Sequence, residues 1–466
     1  MPRHCTRFFM PFALAGALFA TSPALAETMK AAVTAAVTEN PRALASDAEV
    51  KTAALELLQQ DRDYLPTVSV YGEAGPAWYW DPARLSPADN NKVSFGAEAG
   101  VVAEYTLFDG YRRANTTYAA AARVDGAIFR LLDASETLAL NAVEAYIDVF
   151  RHRQLVNIAR ENISRHENIA RQVADLVEGG KLPVSDQFDV DQRVLAAKLY
   201  LVQVREALAK AEARYENVVG HKPGHNLRIQ WLRSLPMTKD ALIRQALQGS
   251  ARIKALDALV QATRYDGKAE RADERPQVKL RAGANVGQNL DGVPGFQSDA
   301  YAGLLVEWKV FEGGRSPRRA AAAQRTNAEQ FRRDEAVRDV REMAAEVWAS
   351  YEANIERTVL FDRQLAAARG TVEQYQDQFL AGTRTLIQVL DAERAYFNIR
   401  FEDISAEAAY VFNQYQMLAV QSRLAAHFGV AHADVPLMPD FEARALDAGD
   451  FTPPSQVFGS AIPSLE

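Results

Sequence analysis

Only one cysteine, Cys5, occurs in the 466-residue chain. It sits in a segment that reads as removable, so the mature protein is expected to hold no disulfide, thiolate metal site or cysteine nucleophile. Basic residues are outnumbered, 53 Lys and Arg against 60 Asp and Glu. That excludes the cationic excess with which nucleic-acid binders neutralise phosphate. No stretch beyond the first 26 residues reaches the ~18 apolar residues of a membrane-spanning helix. Catalytic signatures are missing too. Gly179-Gly180-Lys181 lacks the Ser/Thr and the earlier glycine of a phosphate loop. Asp186, Asp189 and Asp191 lack the glycine of a calcium loop, and no Gly-x-Ser-x-Gly elbow occurs. His221 and His225 flank a Lys-Pro-Gly loop, and His152 and His166 share a helical track, so none of the four reads as a zinc ligand. No enzymatic activity, cofactor or metal is expected.

The N-terminus has the layout of a secretory signal. Arg3, His4 and Arg7 form a basic start, Phe8 to Ala20 an apolar stretch, and Ala24-Leu25-Ala26 a small-x-small cleavage site. Cleavage after Ala26 removes Cys5, Arg3 and Arg7 and leaves 51 basic against 60 acidic residues, a net charge of −9. Cys5 is not at the cleavage point, so no lipid anchor on a new N-terminal cysteine is expected. The mature chain is then either soluble in an extracytoplasmic space or crosses a membrane as β-strands.

The remainder reads as one unit written twice, residues 27–220 and 238–428, with a Pro-containing tail over 429–466. Pro66-Thr67-Val68-Ser69-Val70 is echoed by Pro276-Gln277-Val278-Lys279-Leu280. Ala36-Val37 before Asn40-Pro41 is echoed by Ala246-Leu247 before Ser250-Ala251. Leu107-Phe108-Asp109-Gly110 is echoed by Val310-Phe311-Glu312-Gly313, and Gly180-Lys181-Leu182-Pro183 by Gly382-Thr383-Arg384-Thr385. Ordered matches at a spacing near 200 residues point to duplication. Each half predicts a helix (Lys30 to Arg62, Lys239 to Ala272), two β-runs, a very long helix, a Gly-containing tip and a returning helix.

The β-runs alternate at period two. Phe95, Ala97, Ala99, Val101, Ala103, Tyr105 and Leu107 share one face, opposite Gly96, Glu98, Gly100 and Glu104. Val278, Leu280, Ala282, Ala284 and Val286 do the same, as do Ala302, Leu304, Val306, Trp308 and Val310. Such strands fit a sheet on a soluble core, or a barrel with lipid outside and water inside. Four strands cannot close a useful barrel, so a barrel requires several chains. The loops around Trp78 to Asn91 and Asn289 to Asp299 join the β-runs and are expected outside the cell.

Arg112 to Val177 contains no proline, and Ile128, Ser135, Ala142, Val149, Val156, Ile163, Ala170 and Val177 recur every seven residues. Ala344, Tyr351, Thr358, Leu365, Val372 and Phe379 repeat this in the second half. These are coiled-coil-like seams on rods of roughly 100 Å. Gly179-Gly180 and Gly382 are expected to supply left-handed turns at the rod ends, with Ser185 and Thr385 capping the returning helices.

Together with the stretch from Gly382 to Ala392 (Gly-Thr-Arg-Thr-Leu-Ile-Gln-Val-Leu-Asp-Ala), these features resemble the TolC family of outer-membrane channel proteins, from about Thr28 to Phe428. The resemblance implies a mainly α fold with membrane β: long coiled-coil-like hairpins plus four strands per chain. It implies a homotrimer whose twelve strands form one barrel in outer-membrane lipid, above a twelve-helix periplasmic tunnel closed at its tips. It places Arg384 as a gate arginine, Asp186 in Ser185-Asp186 as its acidic partner on the adjacent chain, and Asp391 in an aperture ring. Two positions depart: Gln388 stands where the family has a second ring aspartate, and Phe379 where it has a hydrogen-bonding tyrosine. A less cation-selective, less tightly latched aperture is expected.

The function implied is a passive exit duct working with a periplasmic membrane-fusion (adaptor) protein and an inner-membrane pump. The missing lipid-anchor cysteine, and the stretch from Arg165-His166 through Gly180 to Ser185-Asp186, lean towards type I protein secretion with an ABC transporter. Multidrug efflux is the alternative, and a periplasmic coiled-coil scaffold without a barrel is the second.

Overall fold

A computed structural model describes residues 27–80, 83, 92–232, 235–236, 238–290 and 293–430. The expected signal segment, the loop around Asn90 and the tail beyond 430 lie outside the described residues. The first half runs α1 (Met29–Thr38), α2 (Pro41–Arg62), β1 (Thr67–Tyr79), β2 (Lys92–Phe108), α3 (Arg112–Glu178) and α4 (Val184–Val219). The second runs α5 (Lys239–Gly249), α6 (Ala251–Glu270), β3 (Gln277–Gln288), β4 (Phe296–Glu307), α7 (Arg315–Leu380) and α8 (Leu386–Val420), with a closing turn α9 (Leu424–His427). The order of elements in the first half is thus met again in the second. No helix is long and apolar enough to cross a membrane, among the described residues.

The single opening helix expected in each half is two helices. Asn40 caps α2 by accepting the Arg42 N–H at 3.0 Å, and Pro41 follows as the first helical residue, where its missing N–H costs nothing. Ser250 does the same for α6, accepting the Ile253 N–H at 3.3 Å. Breaking the helix lets α1 and α5 pack separately from α2 and α6.

All four strands form one antiparallel sheet in the order β1-β2-β3-β4, so the halves join directly through β2 and β3. The register keeps the apolar face continuous. Val70 lies opposite Val101, Val101 opposite Ala284, and Ala284 opposite Ala300. The other face is polar. Glu98 accepts from the Tyr71 hydroxyl at 2.8 Å and from Asn285 Nδ2 at 2.7 Å, and Arg281 pairs with Glu104 at 3.3 Å. The strand expected to continue through Trp308 and Val310 stops at Glu307. Glu307 is opposite Gln277, the first residue of β3, and Pro276 before it has no N–H to extend the ladder. Conversely, Trp78 and Tyr79 belong to β1, and Phe296 to Asp299 to β4, rather than to the loops.

The β2 exit explains the Leu-Phe-Asp-Gly motif. Gly110 and Tyr111 both take positive φ, 70° and 71°. Asp109 then faces the start of α3, accepting the N–H groups of Arg112 and Arg113 at 3.1 Å each and pairing with Arg113 Nε at 2.8 Å. A carboxylate at this end also suits the helix dipole.

α3 has 67 residues and α7 has 66, rods of about 100 Å. Ile128, Ser135, Ala142, Val149 and Val156 are buried as the spacing of seven predicts. Further on, Ile163, Ala170 and Val177 are only half-buried, and Asn162, His166, Ile169 and Val173 are the covered positions. A straight α-helix drifts by about 20° per heptad, so a fixed spacing of seven leaves the buried face on a rod this long. The largest core gathers where α1, α3, α4, α8 and α9 meet, around the fully buried Tyr146, Tyr215 and Tyr415. Their hydroxyls all find partners: Tyr146 with Glu27 O at 2.9 Å, Tyr415 with Gln230 O at 3.0 Å, and Tyr215 with the Glu27 carboxylate.

Candidate functional site

The far ends of the two hairpins meet at a shared tip. Ile169 and Val173 of α3, Val190 of α4, Phe379 of α7 and Leu386, Val389 and Leu390 of α8 form one apolar cluster. Each burial contributes roughly 1.5–3 kcal/mol, which holds the two turns side by side.

The two turns are built alike. Gly180 (φ 65°) donates to Val177 O and Lys181 to Leu176 O, at 3.0 and 2.8 Å; Gly382 (φ 77°) donates to Phe379 O and Thr383 to Gln378 O, both at 2.9 Å. This is the six-to-one pairing that satisfies a helix's last carbonyls through a left-handed residue. Gly179 differs from expectation: its φ is −73°, so it closes α3 without a left-handed turn. Ser185 also differs. Pro183, extended at ψ 153°, takes the N-cap position, and Ser185 falls inside the first turn of α4, its hydroxyl 3.5 Å from Asp186 Oδ1. Thr385 does cap α8. Gln388 Oε1 accepts both the Thr385 N–H at 3.3 Å and the Thr385 hydroxyl at 3.1 Å. Gln388 therefore has a local helix-starting role at its departing position.

The charged residues are held as follows. Asp186 is half-buried in the first turn of α4, where the helix dipole favours an anion. Arg384 of the same chain does not reach it. Its guanidinium lies 4.0 Å from the centroid of the Tyr375 ring, and its Nε donates to Gln378 Oε1 at 2.9 Å. Phe379 is 7% exposed and belongs to the tip core. Asp391 is flanked by two arginines, Arg193 of α4 at 3.6 Å and Arg394 at 3.4 Å. Sequence reasoning missed both. Arg394 could have been read from its i+3 spacing to Asp391, but Arg193 comes from another hairpin and leaves no such signal.

Above the tip lies a buried polar node, also missed. Glu393 of α8 is 1% exposed; Arg165 of α3 approaches it at 3.4 Å and Gln376 of α7 donates to it at 2.6 Å. Burial raises the Glu393 pKa, and the neighbouring Arg165 opposes that rise. The node ties three helices of the two hairpins together. His166 is buried beside it with Nδ1 2.9 Å from Asn162 O. Among the described residues no three potential metal ligands converge.

The family model of the outer membrane efflux proteins matches residues 32–221 and 242–429. The outer membrane efflux protein BepC of Brucella suis is 25% identical over 418 residues, covering 89% of each chain. In fold, the chain resembles the transmembrane channel CusC with a TM-score of 0.73 at 16% identity, covering 84% of this chain and 91% of that one. It likewise resembles the CmeC channel of Campylobacter jejuni with a TM-score of 0.73 at 12% identity, covering 85% and 86%. The scaffold reading without a membrane part is set aside, because the family resides in the outer membrane. With two matched segments spanning both halves, the chain belongs to the outer membrane efflux protein family, whose members are channels of the outer membrane.

Proposed function

We propose that three copies of this chain pool their strands into one twelve-stranded barrel and their hairpins into a twelve-helix periplasmic tunnel. The two halves, 27–220 and 238–428, are copies of one ancestral unit in this reading. The observation that carries it is the open sheet: among the described residues β1 and β4 end it with unpaired edges, and its apolar face is bare. Val70 is 81% exposed and Leu304 65%. Open edges and a bare apolar face call for more strands and for lipid. A second seam supports the same assembly. On α4, Val184, Phe188, Leu195, Leu199 and Val202 are all exposed at coiled-coil spacing, as a partner helix of another copy requires.

In this assembly Arg384 latches to Asp186 of the adjacent copy, and Asp391 lines the aperture with Arg193 and Arg394 beside it. The duct works with a periplasmic adaptor protein and an inner-membrane pump. Our first reading of the cargo is protein, exported by type I secretion with an ABC transporter. The efflux reading is favoured by the description of the matched family and by that of the Brucella relative, both of outer membrane efflux proteins.

The mature protein in detergent should run as a trimer by light scattering and conduct in planar bilayers. A monodisperse monomer without conductance overturns the duct. Deleting the gene and comparing the secreted proteins with susceptibility to small toxic compounds separates the two cargo readings.

A further inference from the structure

A large concavity lies away from the tip. It is a groove of about 1120 Å³ between α3, α4 and the loop that follows α4. Arg153 builds one wall. It donates to the carbonyls of Gly224 and His225 and pairs with Glu212 at 3.0 Å, fastening the loop to both helices. Arg160, Lys222 and Arg228 also line the groove; all three are exposed, and none has an acidic partner within ion-pair distance among the described residues. Against four cations the lining holds two acids, Glu212 and Glu216. In a chain with an acidic surplus, this is a basic cleft.

The described chain ends in the apolar core that the groove borders. Val430, the last described residue, is buried in the same apolar cluster as Leu227, which lines the groove. Residues 431–466 continue from that point. They contain six acidic residues, Asp434, Asp440, Glu442, Asp447, Asp450 and Glu466, against a single Lys or Arg, Arg444. An acidic segment tethered to the core that borders a basic groove meets it at a raised effective concentration.

We infer that the acidic C-terminal segment docks in the basic groove of its own chain, with Arg160, Lys222 and Arg228 receiving its carboxylates. The inference is independent of the duct and its cargo.

Arg444 makes the segment testable, because trypsin can cut it at one place only. In the full mature protein at low salt, release of the fragment 445–466 should be about tenfold slower than in the Arg160→Glu/Lys222→Glu variant, since cleavage follows the undocked fraction. Raising the salt on the wild-type protein should remove that protection without any substitution, as exposed charge pairs are screened. Equal release in wild type and variant, unchanged by salt, overturns the proposal. The mature chain lacks cysteine, so an engineered pair reports the seat directly. Lys222→Cys with Ala443→Cys should form an intrachain disulfide at least about tenfold faster than Lys181→Cys with Ala443→Cys, whose first member lies in the tip turn at the far end of α3. Equal rates, or crosslinks only between chains, show that the groove belongs to another occupant, such as a neighbouring copy or an adaptor.

Discussion

Glu136 on α3 accepts the backbone N–H of Leu424 at 2.8 Å, and its second oxygen accepts that of Ala425 at 3.1 Å. One carboxyl group thereby holds the start of α9, the turn from which the C-terminal segment departs. Burial is the main influence on it and raises its pKa from 4.5 to about 7; the two N–H groups oppose the rise and Asp133 adds to it.

This makes stability pH-dependent in a stated direction. Between about pH 4.5 and 7 the native chain keeps a proton that the unfolded chain has released, so Glu136 contributes a loss of stability as pH rises through that window. The contribution is at most about 3 kcal/mol, and Glu136→Gln should remove it. Thermal unfolding in detergent at pH 5 and pH 7.5 reads the difference between the two proteins. An unchanged pH slope in the variant would show that Glu136 does not titrate there.

The tip glycines should separate by conformation. Gly180→Ala and Gly382→Ala force a Cβ into the left-handed region and should each cost about 1–2 kcal/mol. Gly179→Ala, at ordinary φ, should be within about 0.5 kcal/mol of wild type or slightly stabilising. Hydrogen exchange of the tip amides measures both, and equal losses at all three positions would contradict the turn geometry.

Asp391 sits between two cations, so the aperture proposed for it should select cations weakly. Arg193→Ala and Arg394→Ala should each shift the reversal potential in a salt gradient towards cation selectivity, more so at low ionic strength. A shift towards anions would remove Asp391 from the conduction path.

Arg384→Ser and Asp186→Ala should each raise single-channel conductance, and the double variant should add little, because both break one link. For the proposed latch to form, the Arg384 guanidinium must leave or share the Tyr375 ring. Tyr375→Ala should therefore change the conductance as well. Wild-type conductance in both single variants at low salt would mean that the pair is not the latch.

Much of this architecture was legible before any coordinates. Strand alternation located three of the four strands, because a sheet with one apolar and one polar face forces a period of two on its sequence, and the match of Pro66–Val70 to Pro276–Leu280 pointed to β1. The long seams and the left-handed turns at Gly180 and Gly382 were legible for the same kind of reason: they are local constraints carried by neighbouring residues. Asn40-Pro41 and Ser250-Ala251 even matched each other as repeats, although their meaning as helix breaks emerged only with the caps in view. What the tertiary structure alone decided is long-range. The pairing of β2 with β3, Arg193 beside Asp391, the burial of Glu393 against Arg165, and Phe379 in the tip core join residues dozens to hundreds apart. No local period encodes which distant surface a residue meets. That choice is made by packing, where two rods of about 100 Å drift out of their heptad register and settle on whichever faces fit.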